Sequence, residues 1–372
     1  MTPHDPLGLY LHLPFCRVRC TYCAFAVSTD RKLEGAYNNA LLAELRLRHL
    51  PDRPVDSMFL GGGTPSLSAL VGLRRISAEI RNLYDVLPDA EFTIEANPED
   101  VTVDAVDGWR ELGVNRLSIG VQSLSDDELY PLGRGHGSSM AVAALGLAVD
   151  AGFRTSADLI LGLPGQSLES FMASLRSVLG SGVGHVSLYI LDLEPGSFLE
   201  TQVRAGRTNL PDDELTEAMY LGAVRAAEEA GLHQYEVSNF AREGEESRHN
   251  LKYWNRLPYL GLGLGAHSFL ENMRLANSRE IGEYTSALLA GRDAIVFREE
   301  LTAENERHET LFLGLRQAAG LRYADVVAMC GMEGERWVNR GVEEGWLKRS
   351  GERVAFTSAG FLLSNEYISQ LF

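Results

Sequence analysis

Residues 10–25 read Tyr10-Leu-His12-Leu-Pro-Phe15-Cys16-Arg-Val-Arg-Cys20-Thr-Tyr22-Cys23-Ala-Phe25, and three of the chain's four cysteines lie within this stretch. The fourth, Cys330, sits near the other end in an apolar helical pattern and reads as a small buried side chain. A disulfide framework spreads its cysteines over the fold, whereas thiols crowded on one loop point to metal or redox chemistry in a reducing compartment. Three thiolates can each hold one iron of a cubane cluster, since such clusters are bound mainly by cysteine sulfur. One iron then lacks a protein ligand, and an open metal position generally marks a reactive site. The competing metal is zinc, with His12 or a distant histidine as fourth ligand. Against zinc, the spacing Cys-x3-Cys-x2-Cys lacks paired Cys-x2-Cys knuckles, and His12 alternates with Leu11 and Leu13 inside a strand pattern.

Outward from this loop, short apolar runs alternate with longer amphipathic ones. Strands are expected at 9–13, 57–60, 91–95, 116–120, 156–161 and 186–191, and helices at 35–49, 68–84, 103–112, 140–151 and 167–179. This rhythm predicts an α/β fold with a parallel sheet and right-handed crossovers. A further strand is expected at 234–238, after a helix over 212–230. The unusual residues fall at or just after the strand ends. Cys16 follows the first, Gly61-Gly-Gly-Thr-Pro65 the second, Glu95 and Asn97 close the third, and Gln122 the fourth. Asp158 lies in the fifth, before Gly162-Leu-Pro-Gly165, and Tyr189 and Asp192 lie near the end of the sixth. Parallel sheets place their sites on that rim. Glu95 and Asp158 are acidic residues in runs that otherwise look buried, an expensive placement unless they are paired or functional. Gln122 and Arg134 complete the set, and an arginine suits a ligand carboxylate.

The 372 residues allow two or three domains with a real core, and 34 basic against 51 acidic side chains give a formal charge of -17. Such a surface repels phosphate backbones, so nucleic acid is not an expected partner. The longest uncharged stretch, 57–73, carries Gly61, Gly62, Gly63 and Pro65 and is no membrane span. The first residues show no basic region followed by an apolar one, so a cytoplasmic protein without a secretory leader is expected. From Glu300 the pattern changes to short helices at 304–316, 323–330 and 336–344, then a hairpin over 347–356 turning at Ser350-Gly351. This predicts a winged-helix-like module. Its eleven acidic and eight basic residues favour packing or a lid over DNA binding.

Cys-x3-Cys-x2-Cys with an aromatic before the last cysteine resembles the signature of radical S-adenosylmethionine (SAM) enzymes. The resemblance implies a partial (β/α)6 or complete barrel of the TIM-like kind, here with a mainly helical C-terminal domain. It also implies a 4Fe–4S cluster on Cys16, Cys20 and Cys23, and SAM chelating the open iron through its amino and carboxylate groups, so that an electron from the cluster can cleave the sulfonium. Within that superfamily the chain resembles the oxygen-independent coproporphyrinogen III oxidase-like family, most closely its haem-chaperone branch. Tyr10-Leu-His-Leu-Pro-Phe-Cys16, Gly61-Gly-Gly-Thr-Pro65, Glu95-Ala-Asn-Pro98, Ser118-Ile-Gly-Val-Gln122-Ser, Asp158-Leu-Ile-Leu-Gly-Leu-Pro164 and His249-Asn-Leu-Lys-Tyr253-Trp254 carry the likeness. By position, Tyr10, Gly62, Gly63, Thr64, Glu95, Gln122, Arg134 and Asp158 match the family's SAM contacts.

The oxidases of this family carry a fourth cysteine two positions after the third, where this chain has Phe25, and a longer arm before the first strand. The His249-Asn-x-x-Tyr253-Trp254 motif is associated with haem in the chaperone branch. Imidazole is a common axial ligand, which makes His249 the expected haem ligand, with Tyr253 and Trp254 offering flat apolar surface. His267 is a second candidate, and His12, His185 and His233 are assigned to the barrel or its surface. The expected organisation is a barrel over 1–240 with the cluster and SAM, a connecting region over 241–299 with the haem motif, and the C-terminal module over 300–372. The resemblance implies haem and acceptor haemoproteins, among them respiratory enzymes, as partners. The sequence is compatible with a dimer and admits oxidative decarboxylation of coproporphyrinogen III as the alternative activity.

Overall fold

The computed structural model describes residues 5–372. The first four residues, on which the expectation of a leaderless start partly rests, lie outside them. Six strands, β1 (Leu7–Leu13), β2 (Val55–Gly62), β3 (Val86–Ala96), β4 (Arg116–Gln122), β5 (Arg154–Leu161) and β6 (His185–Ile190), lie side by side in chain order. Each pairs in parallel with the next. Helices such as Glu34–Leu47, Leu70–Leu83 and Val103–Leu112 make the crossovers. In β1 the leucines at 7, 9, 11 and 13 are buried. The alternate positions Gly8, Tyr10 and His12 face the inside, because successive side chains of a strand point to opposite faces. The same alternation puts Ser57 and Phe59, Glu91, Thr93 and Glu95, Arg116 and Ser118, and Ser156 and Asp158 on the inner face. The interior is therefore polar and its outer wall apolar.

After β6 the chain turns back. The single strand expected at 234–238 is instead two short ones, β7 (His233–Gln234) and β8 (Asn239–Ala241), with β8 antiparallel to β6. Between them the backbone pairs elsewhere: Glu236 forms a bridge with Gln317, and Val237 N donates to Arg316 O at 3.0 Å. The C-terminal module thus takes the middle of that segment out of the sheet.

Residues 241–299 continue the same sheet on its other edge. The strand β9 (Tyr259–Gly263) runs parallel to β1, followed by antiparallel β10 (His267–Leu270), β11 (Met273–Asn277) and β12 (Ile295–Glu300). The resulting order is β12-β11-β10-β9-β1-β2-β3-β4-β5-β6-β8-β7, and among the described residues its two edge strands do not pair. This is an open, partial barrel. Helix Arg248–Trp254 packs into its interior against β1 to β3, where a Cβ on Gly8 would come 2.8 Å from Lys252 Cδ. The Glu91 carboxylate accepts from the backbone N–H of Arg248 and His249 at 3.1 and 3.0 Å, placing an anion at that helix start.

The C-terminal module holds helix Ala303–Leu315, β13 (Leu321–Arg322), helix Tyr323–Glu343, β14 (Leu347–Ser350) and β15 (Arg353–Phe356), with two short closing helices. Its sheet order is β13-β15-β14, the arrangement of a winged helix. The two helices expected at 323–330 and 336–344 are joined through Gly331, whose φ of 62° breaks the helical path. Among the described residues no helix is long and apolar enough to cross a membrane.

Glu44 joins the late strands to the barrel helices. Fully buried, it accepts from Gly263 N at 2.8 Å, Asn277 Nδ2 at 2.7 Å and Tyr284 Oη at 2.7 Å, and pairs with Arg48 at 3.1 Å. Removing one partner of such a pair leaves the other charge buried and uncompensated. Glu44→Ala is therefore expected to lower unfolding free energy by about 3–5 kcal/mol in denaturant titrations. A loss below about 1 kcal/mol would mean that the late strands are held by packing alone.

Candidate functional site

The cysteine loop is closed at its base by backbone bonds, Cys16 N to Ser28 O at 3.0 Å and Ser28 N to Pro14 O at 2.8 Å. Its middle is tied to the rim, where Thr21 N donates to Leu132 O at 3.2 Å and Thr21 Oγ1 to Pro131 O at 3.1 Å. Two of the sulfurs already accept hydrogen bonds, Cys16 from Thr64 Oγ1 at 3.5 Å and Cys20 from Arg134 Nη1 at 3.6 Å. Burial pushes the thiols of Cys16 and Cys23 up, a balance that coordination to a metal reverses by taking the thiolate. Among the described residues no three His, Cys, Asp or Glu side chains converge closely enough to hold a single ion. A cubane makes no such demand, because each thiolate takes a separate iron.

Behind the loop, at the C-terminal ends of the strands, lies a cavity of about 430 Å³. It brings together Cys16, Cys20 and Cys23 with Gly62, Gly63, Thr64, Glu95, Gln122, Arg134 and Asp158. Gly62 has φ +110°, and a Cβ there would lie 2.5 Å from the His12 ring. Only glycine lets the backbone take this path and keeps the cradle open. Gly62 N donates to Glu95 Oε2 at 3.0 Å. Gln122 holds φ 65° at a register shift between β4 and β5, a strained conformation of the kind that clusters at binding sites.

The cavity's two carboxyl groups are held out of water. Burial, and then the nearby Asp158, push the Glu95 carboxyl up to about 7. Burial also raises Asp158, although Ser118 Oγ at 2.9 Å and Ser156 Oγ at 3.2 Å donate to it. Arg134 is anchored by Asn97 Oδ1 at 2.8 Å and Gly120 O at 2.7 Å, while its Nε is buried without a partner. Two buried carboxyl groups of raised proton affinity and an arginine with a spare donor suit a ligand bearing both ammonium and carboxylate, beside three soft sulfurs that suit iron. The donor set fits a 4Fe–4S cluster and SAM.

Two expected residues lie outside this cavity. Tyr10 faces a neighbouring cleft with His12, its Oη 3.1 Å from His12 Nδ1. His249, the expected haem ligand, is fully buried in the barrel interior, with Nδ1 3.0 Å from Ser57 Oγ and Nε2 2.8 Å from Tyr253 Oη. In this arrangement neither ring nitrogen is open to a porphyrin. His267 instead is exposed on the wall of the neighbouring cleft. Sequence reasoning missed Ser156, and it took Tyr22 only as the aromatic of the cysteine signature. Ser156 holds Asp158, and Tyr22 lines the cavity. Strand alternation carried the signal for Ser156, two positions before Asp158 on the same face.

Residues 10–178 match the Radical SAM superfamily, the class of protein that this loop above this sheet defines. The solved coproporphyrinogen III oxidase (HemN) from Escherichia coli superposes with a TM-score of 0.86, covering 100% of this chain and 91% of that one at 23% identity, a likeness of fold. Full-length relatives narrow the placement. The heme chaperone HemW of Synechocystis sp. is 33% identical over 99% of this chain and 96% of its own length. That of Bacillus subtilis is 34% identical over 96% and 97%. The chain belongs to the HemW family of radical SAM proteins.

Glu95 gives the site a signature in stability. The folded chain keeps its proton up to about pH 7, whereas the unfolded chain releases it in the ordinary carboxylate range. Between those limits the folded state binds more protons, so this group's contribution falls as pH rises through the window. In the cluster-free protein, Glu95→Gln is expected to gain up to about 3 kcal/mol over the parent at pH 8 and little at pH 5. Equal differences at the two pH values would refute the raised carboxyl.

Proposed function

We propose that this chain is a cytoplasmic haem chaperone. It binds a 4Fe–4S cluster through Cys16, Cys20 and Cys23 and SAM in the adjoining cavity. Haem is bound by the region after the first six strands and passed to acceptor haemoproteins. One observation carries the first part: three thiols, the desolvated Glu95 and Asp158, and Arg134 share one cavity. When bound, a cluster of this type supplies one electron to the sulfonium of SAM. The protein's part is to hold and orient. Glu95 and Asp158 take the ammonium group and ribose hydroxyls, Arg134 pairs with the carboxylate, and the backbone of Gly62, Gly63 and Thr64 closes on the methionyl end.

Support for the haem part comes from relatives called heme chaperones that match this chain over 96–99% of its length. The segment from His249 to Trp254 is assigned to haem binding. Thiols that stay unpaired suit the cytoplasm. Contact with a membrane is assigned to a protein partner, since the acidic chain offers no basic anchor. The fold likeness to the oxidase favours a second reading, oxidative decarboxylation of coproporphyrinogen III. Phe25 stands against it, occupying the position of the oxidases' fourth cysteine.

Anaerobic reconstitution is expected to load about four irons and four sulfides per chain, with broad absorbance near about 400 nm. Replacing Cys16, Cys20 and Cys23 together by alanine should abolish both the sulfide and the colour. Zinc bound without sulfide would overturn the cluster. A haem titration beside an assay for protoporphyrinogen formation separates the two activities. Stoichiometric haem that weakens in His249→Ala, without decarboxylation, is the chaperone's result, and turnover of the porphyrinogen would end that reading.

A further inference from the structure

A second cleft of about 380 Å³ opens beside the first and runs along β1 and β9, from Tyr259 at the start of β9 to the turn after its end. Aromatic side chains supply much of its wall. Tyr10, Tyr253 and Tyr259 line it, the last two meeting edge to face at 4.5 Å. Phe25, 65% exposed, lines both cavities and forms the lip between them. His267, the first residue of β10, presents its imidazole to this cleft, and among the described residues its ring nitrogens take no hydrogen bond. Partial burial, with Arg279 and Arg274 nearby, lowers the proton affinity of that ring, which keeps a lone pair available at neutral pH. Arg279 gives Nη2 to Ala24 O on the cysteine loop at 2.8 Å, and the rest of its exposed guanidinium borders the same cleft.

An unpartnered imidazole, tyrosine and phenylalanine rings of which one can stack on a planar ligand while another meets its edge, and an arginine at the border together describe a ligand that is flat, metal-centred and anionic at its periphery. We infer that this cleft is the haem site, with His267 as the axial ligand to iron, Tyr253, Tyr259 and Phe25 against the ring, and Arg279 on a propionate. The inference rests on the haem-binding reading above and changes the part His249 plays. His249 Nε2 lies 2.8 Å from Tyr253 Oη, and Ser57 holds its other nitrogen, so it is a positioning residue that braces one wall of the cleft. The segment from His249 to Trp254 thus reaches haem through Tyr253.

The test is titration of the cluster-loaded full chain with haemin, followed by difference absorption and magnetic circular dichroism, with metal-free protoporphyrin IX as a parallel probe. His267→Ala, at an exposed position, should keep its cluster content, lose haemin affinity by about tenfold or more and change the iron's spin state. Added imidazole should restore the parent spectrum. Metal-free protoporphyrin should bind parent and His267→Ala alike. His249→Ala should weaken both probes while leaving the ligand signature of iron intact, and Arg279→Ala should weaken both without altering the spectrum. If His267→Ala keeps the parent's affinity and spectrum, or His249→Ala is the variant that loses the axial ligand, the cleft assignment is overturned although haem binding stands. If the parent itself takes up no haemin, the haem reading fails, and this inference with it.

Discussion

Six parallel strands with one apolar and one polar face set everything else in this protein. The leucines of β1 and their counterparts in the neighbouring strands bury against the helices, which supplies the hydrophobic stabilisation and fixes the register. The same alternation forces the other half of each strand inward, and in this chain that half carries serines, carboxylates and an arginine. In the lower interior those groups find partners. Glu91 pairs with Arg154 at 3.3 Å and caps the helix Arg248–Trp254, and Ser156 Oγ lies 2.8 Å from His185 Nδ1. At the upper rim Glu95 and Asp158 take hydrogen bonds from Gly62 N and from Ser118 and Ser156, and burial still holds both carboxyl groups above their ordinary range. The cost of that arrangement is what makes the rim a binding site.

The open sheet gives the site its second half. A closed barrel would seal β1 against its last strand. Here β9 takes that edge instead, and the turn into β10 carries His267 to the rim. The cysteine loop then stands between two cavities, with Phe25 common to both and Arg279 tying Ala24 to the β11 side. Cluster, SAM and a flat ligand can therefore be held within one contiguous surface.

The C-terminal module is fastened to the barrel by backbone as well as side chains. Tyr235 and Val237 exchange hydrogen bonds with Ala318 and Arg316, and Gln317 Nε2 donates to Trp254 O at 3.3 Å. The last contact meets the end of the helix that carries His249 and Tyr253. The module thus packs behind the wall of the second cleft.

Local chemistry was legible in the sequence. The spacing of Cys16, Cys20 and Cys23, the glycines after β2, and the isolated acids Glu95 and Asp158 could be read directly, because each depends on neighbours close along the chain or on period-two alternation. The alternation of strands and helices pointed to a parallel sheet with crossovers for the same reason. Where residues distant in sequence compete for one place, pattern could not decide. Glu236 leaves the expected strand because Gln317 pairs with it. Tyr10 faces the second cleft because β9, far along the chain, lies beside β1. His249 looked like an open ligand in a short motif, and only the packing of its helix against Ser57 and Phe59 turns it inward. The sequence determined which chemical groups the protein carries and on which face of each strand they lie. The tertiary structure decided which cavity each one enters, since that depends on long-range pairing whose partners no local period encodes.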